Sequence, residues 1–294
     1  MIKTKTFNIE WYKKCKYTNY TSISLWRDYL LANKINSNMI EVFDTKTGKY
    51  LNDILNEDMG IFEIKNADDN LVINDLLFRI DRFLGICQIY NLKMNKPIGI
   101  FGFKNLKLPK CITGYFKNNK YLIYILDENN HNIIRYEIMI IDNNIANIKN
   151  YNFMNLPVIK SSHILIDDDY ERILLNDMNT SQLIVLDFEG KILNKLEIEI
   201  SDIIIYKNNY IYTDNEKDSN MLHLINRTNM KYKLSYRSDK IKNITYMNAT
   251  NDYLYLLDND CSLAKVVLDD KSENNNKNLL LVTLGILVSS ILLK

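Results

Sequence analysis

Glycine is scarce in this chain, with eight in 294 residues, and proline is scarcer, with three. Collagen-like and Gly/Pro-rich low-complexity classes are excluded by that alone. A turn-rich fold has to place other residues in left-handed backbone, and asparagine, the commonest non-glycine visitor to that region, supplies 41 positions. Histidine occurs only at His131, His163 and His223, too dispersed for an HExxH or a Cys/His knuckle, so neither a metal nor a cofactor is expected. Four cysteines, Cys15, Cys87, Cys111 and Cys261, form no C-x-x-C pair, which argues against a disulfide framework and for a reducing compartment. There is no G-x-S-x-G elbow, P-loop or G-x-G-x-x-G, so the usual signals of hydrolase, kinase and dinucleotide chemistry are missing and catalytic residues stay unassigned. Charge of one sign is missing too: 37 Lys and Arg face 36 Asp and Glu, a net charge of +1 that gives no reason to expect a nucleic-acid partner. The opening MIKTKTFNIEWYKKCKY is interrupted by charge and has no secretory apolar core.

What the chain does contain is 47% hydrophobic residues, enough for a sizeable core, arranged in short runs between polar breakers. Asn, Ile, Lys and Tyr are plentiful and all have AT-rich codons, a genome bias that suits a parasite, a virus or an AT-rich bacterium. The run RILLNDMNTSQLIVLDFEGKILNKLE, from Arg172 to Glu197, reads as strand, turn, strand, turn, strand. Asp and Asn side chains bond their own backbone in such turns, and Gly190 takes positive φ without a steric penalty. The strand-then-Asp unit returns as YLIYILD, RILLND, YIYTD and YLYLLD, ending at Asp127, Asp177, Asp214 and Asp258 with spacings of 50, 37 and 44 residues. A period of about 40 to 50 residues is that of four-stranded propeller blades. A second strand follows each unit, and the pairs read as inner hairpins of blades, with Met39 to Leu51 as an outer hairpin.

From Tyr121 to Leu268 this pattern resembles the blades of NHL-type and gluconolactonase-like six-bladed propellers. The resemblance implies a mainly β, propeller-like fold over residues 1–268. In gluconolactonase-like propellers it also implies acidic side chains converging on a central cation. Asp127, Asp177, Asp214 and Asp258 are the repeated carboxylates, but their place at hairpin turns makes them hydrogen-bonded turn residues rather than ligands. His163 and His223 stand in apolar runs and read as hydrogen-bonded structural residues.

Thr4 to Trp11 alternates as a strand should, while the last repeat ends at Leu268 one strand short, so the N-terminal segment is the natural filler of that edge. Ser24 to Asn33 fits either a short helix or a strand. From Asp69 to Leu84, the apolar residues Val72, Ile73, Leu76, Leu77, Ile80, Phe83 and Leu84 fall at helical spacing, and a helix is expected over 69–84. The acidic run Asp167 to Asp169 reads as a turn. Tyr121, Tyr124, Tyr206, Tyr210, Tyr212, Tyr253 and Tyr255 lie on strands, where exposed members could serve recognition.

Residues 269–278 have no apolar periodicity and read as a polar linker. LLLVTLGILVSSILL, from Leu279 to Leu293, carries no charge and is flanked by Lys277 and Lys294. As a helix it spans about 22 Å, short of the roughly 30 Å hydrocarbon core, yet flanking lysines can snorkel and the bilayer can thin. A single-pass C-terminal membrane anchor is expected at 279–293, inserted after translation, with the main domain facing the cytosol. The functional expectation is a membrane-tethered, non-enzymatic scaffold with a protein partner. A metal-dependent, lactonase-like propeller hydrolase and a viral structural or attachment protein are the alternatives.

Overall fold

A computed structural model describes residues 4–15, 19–55, 64, 67–155, 161, 163–214 and 220–268. Every regular element in them is a β-strand. Two N-terminal strands, β1 (Thr4–Thr6) and β2 (Asn8–Lys14), precede six meanders. The first holds β3 (Tyr20–Trp26), β4 (Tyr29–Lys34), β5 (Ile40–Asp44) and β6 (Tyr50–Ile54), and the second β7 (Ala67–Ile73), β8 (Leu76–Asp81), β9 (Ile86–Asn91) and β10 (Lys96–Phe101). The third holds β11 (Pro109–Lys117), β12 (Lys120–Asp127), β13 (Asn132–Ile141) and β14 (Asn144–Asn155), and the fourth β15 (Ile164–Asp167), β16 (Arg172–Asp177), β17 (Gln182–Asp187) and β18 (Ile192–Leu196). The fifth holds β19 (Ile200–Tyr206), β20 (Asn209–Asp214), β21 (Met221–Asn226) and β22 (Tyr232–Arg237), and the sixth β23 (Ile244–Ala249), β24 (Leu254–Asp258) and β25 (Ser262–Val267).

The first strands of neighbouring sheets lie against one another, β3 on β7, β7 on β11, β11 on β15, β19 on β23 and β23 on β3. That ring is a six-bladed β-propeller with the first strands around a central channel. Its upper face carries the starts of those strands and the turns from second to third strand; the remaining hairpin turns lie on the lower face. The apolar core is divided among the gaps between blades, as with Phe78, Ile89, Ile123 and Tyr136 between the second and third. Middle strands are buried on both faces, β8 and β9 along their whole length, and therefore lose the apolar–polar alternation of a half-exposed strand.

Ring closure is made by the chain's two ends. Strand β2 pairs antiparallel with β25, Asn8 opposite Val267 and Lys14 opposite Ser262, completing the sixth blade; the single strand expected over Thr4 to Trp11 is broken at Phe7, and only its part from Asn8 fills that edge. Strand β1 adds to the fifth blade, parallel to β22 with Thr4 opposite Ser235. Phe7, between the two, is buried in the core between those blades. Trp11 reaches on to the first blade, where its Nε1 donates to the Thr45 carbonyl at 2.9 Å. Its ring lies against Gly48, where a Cβ would come within 2.7 Å of it.

Two sequence expectations need correction, and one that was open between helix and strand is decided for strand. The helix over 69–84 is a hairpin, β7 and β8, with Asn74 at φ 57° in the turn. Burial on both faces removed the two-residue alternation, and the two turn residues happened to set the flanking apolar pairs at helical spacing. The segment Ser24 to Asn33 is likewise a hairpin, β3 and β4, turning at Arg27 with φ 56°. The paired strands read as inner hairpins are the second and third strands of each blade, one place farther out; Met39 to Leu51 does belong to an outer hairpin, β5 and β6. Among the described residues sixteen non-glycine positions have positive φ and seven of them are asparagine, so Asn does stand in for the missing glycines. The linker at 269–278 and the anchor at 279–293 lie outside the described residues. Among the described residues no helix is long and apolar enough to cross a membrane.

Candidate functional site at the channel mouth

Five innermost strands slip register near their upper ends, between Tyr20 and Ser22, Ala67 and Asp69, Pro109 and Cys111, Ile200 and Asp202, and Ile244 and Tyr246. A bulge adds one unpaired residue and bends the strand. The extra residues are Thr21, Asp68, Lys110, Ser201 and Thr245, all polar, and the channel mouth inherits that polarity.

The residues after the bulges stitch blade to blade. Asp69 accepts from the Asn70 amide at 2.7 Å, from the Tyr246 hydroxyl, and from the Ile112 amide of the third blade at 2.9 Å. Asp202 accepts from the Ile203 amide at 2.8 Å and from the Met247 amide of the sixth blade at 2.6 Å. Burial raises both carboxyls to about 7, outweighing the amide donors that lower them. His163, just ahead of β15, has Nδ1 3.7 Å from Asp202 Oδ1. Burial, with help from the charge of Lys110, lowers its pKa to about 4, so near neutral pH this is a polar contact and not an ion pair.

Two cavities open on the upper face. One of about 240 Å³ is lined by His163, Asn176, Met178, Ser201 and Thr245. The other, of about 150 Å³, lies between the first and second blades and is lined by Thr21, Ile35, Asn36, Ala67, Asp68 and Phe83. Around them stand exposed apolar side chains: Ile35 (48% exposed), Phe83 (75%), Leu84 (53%), Phe103 (63%) and Met178 (45%). All five belong to loops joining strands at that face, and sequence reading missed them because a lone exposed Phe has no pattern.

Three of the four repeated aspartates accept from backbone amides in turns and loops, while Asp214 meets the His223 ring instead. Asp127 accepts from the Lys107 and Leu108 amides at 2.7 and 3.0 Å, Asp177 from the Asn179 amide at 3.0 Å, and Asp258 from the Ser262 amide at 2.7 Å. Among the described residues no three His, Cys, Asp or Glu side chains are grouped to hold a metal ion. Asp167 opens the turn expected there, accepting from the Tyr170 amide at 3.3 Å, and in addition anchors the fourth blade to the fifth: it accepts from Arg227 Nε at 2.6 Å and from the Tyr210 hydroxyl. Of the tyrosines considered for recognition, Tyr124, Tyr206, Tyr210, Tyr212 and Tyr255 are buried in the blade gaps.

One row has the atom order of a hydrolase relay. Asp214 Oδ2 lies 3.1 Å from His223 Nε2, and Ser235 Oγ 2.7 Å from His223 Nδ1. Ser235, however, is only 1% exposed, opposite Thr4 of β1, and its oxygen also meets the Tyr232 hydroxyl. A substrate carbonyl has no route to it, so the row is structural, with His223 also stacked on Tyr212 at 4.8 Å. His131 sits apart, in the turn between β12 and β13 with φ 48°.

No family model matches the chain, and no curated protein does. Among solved structures it is similar to the β-propeller domain of Cps50 (Swd1) from Myceliophteria thermophila, with 8% identity and a TM-score of 0.59 over 90% of this chain and 100% of that one. It is also similar to BamB from Moraxella catarrhalis, with 8% identity and a TM-score of 0.53 over 86% of this chain and 84% of that one. A computationally designed protein, Ika8, gives 8% identity and a TM-score of 0.51 over 90% of this chain and 99% of that one. At such identity the likeness shows the propeller fold alone.

Proposed function

We propose that the chain is a protein-interaction scaffold, held at a membrane through residues 279–293 with its propeller in the cytosol. The observation that carries the scaffold reading is the set of exposed apolar side chains on the upper loops of the first two blades: Ile35 and Phe83 line one cavity, and the loop of Phe83 and Leu84 touches that of Phe103. Contiguous exposed apolar surface on a folded domain marks an interaction site more often than chance. Strand β25 runs from the upper face to the lower, so the chain leaves the described residues at Leu268 on the side opposite that surface. A tether there leaves the upper face clear for a partner. Carbonate extraction of membranes, applied to the full chain and to a version ending at Asn278, tests the anchor: the full chain should stay with the membrane and the shorter one should not. Both forms in the soluble fraction would end the tethering reading.

The lactonase-like alternative has a separate test. Thermal melting with and without millimolar calcium is expected to give superimposable curves, because Asp127, Asp177 and Asp258 are engaged by backbone amides and Asp214 by His223. A rise in melting temperature with calcium would favour a metal-dependent enzyme.

A further inference from the structure

The 150 Å³ cavity between the first and second blades has two kinds of wall. Ile35 and Phe83 are exposed and apolar, while Thr21 and Asp68 are polar and partly buried; Asn36 adds a polar side chain at the exposed edge. Asp68 is half-buried; one oxygen accepts from the Arg82 amide at 3.2 Å, and the carboxyl forms no ion pair among the described residues. The guanidinium of Arg82 is committed to Glu128 at 2.5 Å, and Lys110 is near enough only to act through its field. A half-buried carboxylate without a paired cation, under apolar walls, suits a side chain with an aliphatic stem and a positive head.

The backbone that carries the surrounding apolar residues is tied down by hydrogen bonds. The Phe83 and Leu84 amides both donate to Asp81 Oδ1 at 2.9 Å. The loop bearing Phe103 is closed by the Asn105 and Leu106 amides donating to the Gly102 carbonyl at 2.7 and 2.9 Å. Gly85 joins the two loops: its φ is +63°, and a Cβ there would lie 2.5 Å from the Leu106 carbonyl oxygen. Large apolar side chains carried on tight, hydrogen-bonded loops leave less backbone freedom to be lost on binding.

From these observations we infer that this surface receives a segment of a partner protein presenting a lysine or arginine beside a large apolar residue. The basic stem lies between Ile35 and Phe83 with its head on Asp68, and the apolar neighbour covers Leu84 and Phe103. The inference rests on the scaffold reading and names the chemistry of its partner.

The test is selection of displayed random heptapeptides on the immobilised full chain, followed by fluorescence anisotropy of the enriched sequences. Enriched peptides should carry Lys or Arg next to Leu, Ile, Phe, Tyr or Trp. Asp68→Asn and Phe83→Ser should each weaken their binding by about tenfold. Replacing the peptide's own basic residue with Gln should have the same effect as Asp68→Asn, which keeps the test valid on the unaltered protein if Asp68→Asn folds poorly. Peptides that need Phe83 but bind as well without a basic residue would overturn the charged-partner inference and leave the scaffold reading standing. If no enriched peptide responds to Phe83→Ser, both fall.

Discussion

Asp69 and Asp202 are fully buried carboxyls that give the channel a pH response of unusual sign. A carboxyl raised from the ordinary unfolded value near 4 to about 7 takes up a proton on folding. Its stabilising contribution is fully present below about pH 4 and is lost as the pH rises to about 7. His163 works in the opposite direction: with its pKa lowered from 6.5 to about 4, its contribution is present above about 6.5 and lost as the pH falls through about 4. Asp202→Asn is therefore expected to make stability fall less steeply between pH 4 and 7 than in the parent, whatever its effect on the overall level. Urea unfolding at several pH values in that window measures it, and parallel curves would refute the assignment. Arg227 gives a second residue-scale expectation. Asp167 has no exposed surface; burial raises its pKa, but the Arg227 and Tyr210 hydrogen bonds outweigh this and hold it below the ordinary range. Removing the partner in Arg227→Met leaves a buried, uncompensated carboxylate, and a loss of about 3 kcal/mol is expected in urea unfolding.

At the scale of elements, the hairpin of β7 and β8 shows how burial can disguise a strand. Asn74 occupies left-handed backbone, so Asn74→Gly should be neutral or mildly stabilising, while Asn74→Ala should cost about 1 kcal/mol. In a helix the order would reverse, because Gly is the poorer helix former by about 1 kcal/mol. Equilibrium unfolding of the two variants decides between the assignments. Strand β11 carries a different constraint: a Cβ on Gly114 would sit 2.3 Å from the Leu122 carbonyl oxygen of β12. Backbone cannot yield as a flexible side chain can, so Gly114→Ala is expected to cost about 2 kcal/mol in the same assay.

At the scale of the whole molecule, six blades hold together only as a closed ring, and strands from the N-terminus close it. Deleting residues 1–12 removes β1, most of β2, Phe7 and the Trp11 contact with the first blade, and exposes the edges of β22 and β25. A clear fall in melting temperature with concentration-dependent aggregation is expected; melting at the parent temperature would refute the role of the closure. Phe7→Ala tests the seam without opening the edges and should cost about 3 kcal/mol.

The amino-acid sequence by itself determined the strands and turns from Cys111 to Leu268, the repeat period and the segment that closes the ring. Those features are local: a short apolar run bounded by Asn, Asp or Gly has one economical backbone path. Tertiary structure alone decided the hairpin at 69–84, because a strand covered on both faces loses the alternation by which strands are recognised. It also decided the channel mouth. Asp69 and Tyr246 are 177 residues apart and meet only when the ring closes. The loops that carry Phe83 and Phe103 meet only because Gly85 and Gly102 let their backbones touch. Contacts between blades depend on which residues the ring brings together, and no spacing within a single repeat encodes that.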